Sequence, residues 1–337
     1  MSQEVSRSAW IPGVLVATAF AFVAKELSAL DFFKETLHFG ALLLVILLGM
    51  AWRAFLPLPQ WAVPGIDMAK KPILRWAVAA LGLRLSMAEI LEIGGPSLLV
   101  VSVATVIATF GGWWIAKLCG LPEKMGLLLG VGGAVCGASA VVAADTVVQG
   151  EKRDSALAIS VITLLGTIGI LIYPEIAVWA GMTDFNYGVW AGASLHETAQ
   201  VVAAGDSISP EAKEVATVVK LVRICWLAPI VFYLGWSLRH RHAEAGQAKV
   251  SLVPWFLVMF VVFAAINSMG WLPEEGWFSA GTLKSGGSWL MTIGMAGVGL
   301  QTSIRDLVHA GARPVLAGLL QWILLAAVSA GMIAVLA

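Results

Sequence analysis

The chain has 337 residues, of which 59% are hydrophobic and only 12% charged. Soluble domains carry about 25% charged residues, so this composition, with a mean hydropathy of +0.87, excludes a soluble fold. The 21 basic and 21 acidic residues cancel, leaving no electrostatic footprint for nucleic acid or another polyanionic partner.

Apolar runs bounded by charge and proline predict eleven spans, at roughly 10–30, 38–56, 72–92, 96–118, 124–149, 154–180, 186–205, 212–238, 252–270, 285–306 and 313–337. Such runs reach the length that crosses a bilayer as helix. The expected fold is an all-α polytopic membrane protein without a soluble domain. Residues 1–36 form an extra N-terminal helix, 37–180 a first repeat and 186–337 a second, possibly permuted one. The first span follows Arg7 and has no small-residue cleavage site before Lys25-Glu26, so it reads as retained rather than as a signal peptide.

Arg53, Lys70, Lys71, Arg75, Lys117, Lys124, Arg239, Arg241, Lys249, Arg305 and Arg313 fall at one set of span ends. Lys25, Lys34, Lys152, Arg153, Lys213 and Lys284 fall at the other. That bias puts the N-terminus in the cytoplasm of a bacterial cell and the C-terminus outside its inner membrane, with Lys152-Arg153 as the competing pair. Tryptophans near span ends, such as Trp52, Trp114, Trp179 and Trp271, suit interfacial anchoring.

Two internal likenesses stand out. AALGLRLSMAEILEIGG from Ala79 resembles AGVGLQTSIRDLVHAG from Ala296, pairing Gly82 with Gly299, Ser86 with Ser303, Glu89 with Asp306 and Gly94 with Gly311. Arg84 and Gln301 hold equivalent places. An odd number of spans separates the copies, so they lie upside down to one another, an arrangement found in secondary transporters. The second likeness is between GGAVCGASAVVAAD (Gly132–Asp145) and AGASLHETAQVVAAG (Ala191–Gly205). It pairs Gly137-Ala138-Ser139 with Gly192-Ala193-Ser194 and Gly150 with Gly205. These sit in spans five and seven, which would point the same way as full crossings. One of them is therefore broken or re-entrant, or the second repeat is permuted.

Glycine costs about 1 kcal/mol relative to alanine within a helix, so both phrases predict weakened helices. An opened backbone in a membrane is tolerated only inside protein or against a wet cavity, where its N–H ends favour anions and its carbonyls favour cations. Close packing of small residues is the plainer alternative. Polar groups tip the reading toward a site: Cys136, Gly137, Ser139, Asp145, Gly192, Ser194, His196, Glu197 and Gln200 all lie in or beside these phrases. Ionisable groups inside apolar spans commonly mark a pathway. Lys220 and Arg223 share a helical face in span eight. Lys220 is expected to pair with Glu197 or Asp145 or to neutralise an anion, and Arg223 to hold an oxyanion through parallel N–H bonds.

Other chemistries fit poorly. His196-Glu197-Thr198-Ala199-Gln200 lacks the second histidine of a zinc-protease helix. Cys119, Cys136 and Cys225 are spaced for neither a disulfide framework nor a metal site, and no cofactor is expected. No phosphate-binding loop with its lysine occurs, so an ion gradient is the expected energy source. An intramembrane Cys136–His196 nucleophile pair has nothing to orient it. An anion channel is the main alternative to a transporter.

The combination of CGASA at 136–140, SLHETAQVVAA at 194–204, VVKLVR at 218–223 and ALGLRLS at 80–86 resembles the bacterial YeiH-like family, to which sulfate export is attributed. That family is similar to the wider group of cation–proton antiporters and bile-acid-type transporters, with inverted repeats and crossed broken helices. The resemblance implies outward movement of a small anion such as sulfate or a sulfonate, coupled to protons or sodium, with spans five and seven forming the crossing. Partners would be that anion, the coupling ion and lipid; a homodimer is compatible with the family pattern.

Overall fold

The computed structural model describes residues 9–30, 40–238, 254–273, 275–277, 279–302 and 311–336, all of them helical or in short connections. Arg7, Lys34, Arg239, Arg241, Lys249, Ser303, Arg305 and Asp306 lie outside the described residues, as does the side chain of Lys152. Among the described residues, five helices are long and apolar enough to cross a membrane: Ile11–Ser28, Met87–Leu118, Arg153–Ala180, Pro210–Leu238 and Ala312–Leu336.

The chain clusters into two compact units, residues 1–89 with 255–304 and residues 90–254 with 305–337. Each unit draws on both the early and the late part of the sequence. The first unit opens with α1 (Ile11–Ser28), α2 (Ala41–Phe55) and α3 (Val63–Met68). The helix α3 continues through a π turn, Ala69–Ile73, into α4 (Leu74–Leu81). Pro72 sits in that turn; it has no N–H to give the preceding turn, and the wider π geometry absorbs the gap.

A 3₁₀ turn, Gly82–Arg84, ends this segment and Leu85 is extended. Here the structure corrects the expected boundary between spans three and four. The chain turns at 82–86, and Gly94-Gly95-Pro96 lies inside one helix, α5 (Met87–Leu118). The start of α5 is fixed by a reciprocal cap: the Ser86 N–H donates to Glu89 Oε2 at 2.7 Å and the Glu89 N–H to Ser86 Oγ at 3.2 Å. Through Gly94–Pro96 the backbone stays helical because lipid offers no other partners.

The second unit continues from α5 with α6 (Glu123–Ala134), α7 (Ala138–Val148), α8 (Lys152–Ala180), α9 (Asp184–Ser194), α10 (Thr198–Asp206), α11 (Pro210–Cys225) and α12 (Leu227–Leu238). The helices α13 (Trp255–Ser268) and α14 (Ala280–Gln301) return to the first unit, and α15 (Ala312–Leu336) completes the second.

Within the first unit the two stretches that read alike in sequence contact each other reciprocally. Arg84 at the end of α4 donates to Ser288 Oγ (2.7 Å) and to the Lys284 carbonyl (3.3 Å) on α14. Its counterpart Gln301, at the end of α14, donates to Asp67 Oδ1 on α3 at 2.8 Å. Asp67 and Lys284 hold equivalent places in the alignment that pairs Arg84 with Gln301. In the same sense Gly82 packs against the Phe260 carbonyl of α13, and Gly299 against the Ile46 carbonyl of α2.

In the second unit both glycine-rich phrases are interrupted, and both fold back. The pair α6–α7 is a hairpin: Lys124 at its start donates to the Gln149 carbonyl at its end (2.8 Å), and a Cβ on Gly150 would lie 2.9 Å from Leu128 Cδ1. The pair α9–α10 is a second hairpin, closed where the Tyr187 hydroxyl donates to the Ala204 carbonyl at 3.0 Å. Spans five and seven are therefore broken, and neither is a straight crossing. The open end of the first hairpin meets the start of α8 through Asp145 and Ser155. Along α8, Thr163 lies beside the second tip and Tyr173 beside α9, so the two hairpins approach from opposite ends of that helix.

Candidate functional site

The two tips, Val135–Gly137 and Leu195–Glu197, meet in the second unit. At the first, Val135 leaves helical geometry (φ −112°, ψ −87°) and Gly137 turns the chain at φ +71°, a conformation that L side chains rarely adopt. Glycine is required there on a second count, since a Cβ would lie 2.6 Å from Glu197 Cγ.

Each tip ends one helix and starts another, so each presents carbonyls from the arriving arm and N–H groups from the returning arm. Five of these carbonyls are engaged by α11. Lys220 Nζ donates to the carbonyls of Val135 (2.8 Å), Leu195 (2.8 Å) and His196 (2.5 Å). One turn along, Arg223 donates through Nε to the Ala134 carbonyl (2.6 Å), through Nη1 to Leu195 (2.7 Å) and through Nη2 to Gly133. Both side chains are wholly buried. The expected pairing of Lys220 with Glu197 or Asp145 is not what the structure holds, nor does Arg223 present a free fork: both cations staple backbone. The physical reason is the pair of frayed helix ends, whose partial negative charge gathers at one point.

Glu197 is half-buried. It caps α10 by accepting from the Gln200 N–H, while the Gln200 Oε1 accepts from the Glu197 N–H at 2.9 Å. Its Oε1 also accepts from Thr163 Oγ1 at 2.6 Å. Gln200, fully buried, closes the circuit by donating from Nε2 to the Thr163 carbonyl (2.8 Å) and Thr167 Oγ1 (3.4 Å). Only glycine at 166 leaves room for that amide.

His196 is buried, with Nδ1 at 3.1 Å from the Gly133 carbonyl. That carbonyl can only accept, so Nδ1 carries the hydrogen; Nε2 is buried with no hydrogen-bond partner among the described residues. Ser194 is also enclosed. Its hydroxyl donates to the Trp190 carbonyl and accepts from Tyr173 Oη (2.9 Å), which itself accepts from Trp322 Nε1 (3.0 Å). Tyr173 is stacked between Trp190 and Trp322, with centroid distances of 4.0 and 5.7 Å.

The structure thus brings Cys136, Gly137, His196, Glu197, Gln200, Lys220 and Arg223 together, with Ser194 one residue below the second tip. Ser139 is exposed in the first turn of α7, and Cys136 is half-buried at the tip. Gly192 sits away from the crossing, in the α9–α11 seam, where a Cβ would be 2.5 Å from the Ala216 carbonyl. Asp145 stands apart at the open end of the first hairpin, accepting from the Gly150 N–H (2.9 Å) and Ser155 Oγ (2.8 Å). The matched Gly-Ala-Ser triplets are not equivalent in space: 137–139 begin a returning arm and 192–194 end an arriving one. Sequence reasoning missed Thr163, Tyr173, Gln321 and Trp322. The available signal was that Thr163 and Gln321 are polar residues inside otherwise apolar spans.

Among the described residues no group of three His, Cys, Asp or Glu side chains could hold a metal ion. The tips instead offer a half-open polar surface of Cys136, Ser139, Glu197 and Thr198.

A family model described as Conserved hypothetical protein 698 matches residues 12–318. The chain belongs to that family. Its relatives in the UPF0324 membrane protein group include one from Bacillus cereus, 32% identical over 320 residues, covering 94% of this chain and 89% of the relative. A Rhizobium meliloti member is 35% identical over 317 residues, 92% of this chain and 88% of the relative. The UPF0324 membrane protein TauZ of Paracoccus denitrificans is 34% identical over 308 residues, 89% of this chain and 88% of the relative. The UPF0324 group is the YeiH-like family that the sequence motifs resemble; this chain is a multi-pass membrane protein, and these relatives are from bacteria.

Proposed function

We propose that the protein is a secondary transporter that moves a small anion, of the sulfate or sulfonate class, out of the cell, coupled to the movement of protons or sodium. The observation that carries this reading is the junction of two fold-back hairpins at a point holding two wholly buried cations. Because Lys220 and Arg223 neutralise the carbonyl ends, the N–H ends of α7 and α10 are left facing the half-open surface at Cys136, Ser139 and Thr198. Positive charge and helix N-termini favour an anion, a place that the Glu197 carboxylate takes at the start of α10.

The reciprocal contacts Arg84–Ser288 and Gln301–Asp67 support an inverted repeat, as does the approach of the hairpins from opposite ends of α8. On this reading the eleven segments are nine crossings and two re-entrant hairpins. Re-entry of α6–α7 moves Lys152 and Arg153 to the side of Lys117 and Lys124. The competing basic pair then joins the cytoplasmic set, which supports a cytoplasmic N-terminus.

The test is reconstitution in liposomes. Radiolabelled sulfate and methanesulfonate are expected to show saturable uptake that accelerates when unlabelled anion is loaded on the far side. Flux without saturation or counterflow would indicate a channel, and no flux under any imposed gradient would reject transport of these anions.

A further inference from the structure

The charges at the hairpin tips do not balance, and the geometry shows which group adjusts. Lys220 and Arg223 are wholly buried, and every donor bond described for them runs to backbone carbonyls. The salt bridges among the described residues are Lys71–Asp67 and Lys213–Asp206, both elsewhere. Two positive charges are thus accompanied at the tips by one carboxylate, Glu197. That carboxylate is held by neutral donors alone, the Thr163 hydroxyl and the Gln200 N–H. Its side chain lies across Gly137, the residue that opens α7, while its own backbone opens α10. A chain-borne anion therefore occupies the ground shared by two helix N-termini.

We propose that Glu197 is a tethered stand-in for the transported anion: the carboxylate occupies the tips when cargo is absent, and cargo is admitted as Glu197 takes up one proton. The inference rests on the transporter reading above and specifies its coupling. The proton comes from the aqueous side that supplies the anion, adds to a carboxylate oxygen, and returns to water when the anion leaves. The neutral carboxyl keeps a carbonyl oxygen for the Gln200 N–H and gains an O–H. Replacing the charge of Glu197 with that of a monoanion leaves the buried net charge unchanged. Adding the anion without the proton would set two negative groups side by side on the ground shared by the two helix N-termini, and their repulsion is magnified in a low-dielectric site.

The groups facing Glu197 are few. Hairpin one contributes Cys136 and α11 contributes Lys220, both within electrostatic reach. Arg223 lies one turn further along α11, His196 is the sequence neighbour, and α8 presents the hydroxyl of Thr163. Lys220 and Arg223 are locked by carbonyls and His196 Nδ1 is bonded to the Gly133 carbonyl. The half-buried Glu197 is the carboxylic acid among them, and like Cys136 it is open to the half-open surface.

The experiment uses the full chain. In weakly buffered detergent solution, wild-type protein titrated with methanesulfonate should take up one proton per anion bound, and affinity should rise about tenfold for each unit fall in pH. In liposomes, Glu197→Gln, which retains an oxygen to cap α10, should still exchange methanesulfonate, without moving protons and with little dependence on pH. Anion binding by wild type without proton uptake overturns the proposal, as does a Glu197→Gln variant that moves protons with the anion. Either result leaves the transporter reading standing. If wild type moves no anion, both fail together. If Glu197→Gln does not fold, the proton count on wild type still decides.

Discussion

Lys220 and Glu197 flank the same hairpin tip without forming an ion pair. The ammonium bonds the carbonyl of His196, and the carboxylate of the very next residue turns away to Thr163 and the Gln200 N–H. The tip is thereby divided into a locked cationic floor and a more accessible acidic rim.

Removing the floor should be costly. Lys220→Met strips the Val135 and His196 carbonyls of this donor and leaves Leu195 only its bond from Arg223, and breaking a buried charged network typically costs about 3–5 kcal/mol. Thermal unfolding of the detergent-solubilised protein should show a large fall in Tm. Lys213→Met breaks a partly exposed pair with Asp206 and should cost about 1 kcal/mol or less. Equal effects would mean that Lys220 is not a staple.

Gly137→Ala combines a positive-φ penalty of about 1–2 kcal/mol with the close approach of Glu197 Cγ. The variant should assemble in the membrane but lose anion exchange, because the added methyl fills the space at the tips that Glu197 and the anion would share. Retained exchange at the wild-type rate would show that the tip geometry is not needed.

Asp145 ties down the loop between α7 and α8. Asp145→Asn should lower stability by about 1 kcal/mol and leave the concentration dependence of transport unchanged. A shifted half-saturation concentration would place Asp145 in the anion path after all.

Cys136 reports on access to the tips. In a Cys119→Ser, Cys225→Ser background, a small charged thiol reagent should modify Cys136, and saturating methanesulfonate should slow the reaction about tenfold if occupancy of the site blocks the reagent. Modification at the same rate with and without anion would separate the tip from the binding site.

Much of this was legible in the sequence because membrane chains expose their exceptions. Glycines clustered beside Cys136 and Ser194 marked the two interruptions, and charged residues in apolar text marked Glu197, Lys220 and Arg223. Partners were not legible. Lys220 and Arg223 read naturally as ligands for a carboxylate or a substrate, because sequence shows side chains and says nothing of which backbone carbonyls a break will free. The turn before α5 was misjudged for a related reason: Gly94-Gly95-Pro96 looks stronger as punctuation than Ser86-x-x-Glu89, yet a bilayer penalises an open helix more than a proline inside one. Gln321 is one amide in an apolar helix, and its spacing to other polar groups carries no signal. Its Nε2 joins α5 to α6 through the carbonyls of Ala108 and Gly130.

One helix, α11, grips both tips, and that constrains how anything can pass. Pulling the hairpins apart would strand several carbonyls and two cations in a dry interior at once. If the protein transports as proposed, the hairpins do not swing independently; the two tips and their clamp move as a single block.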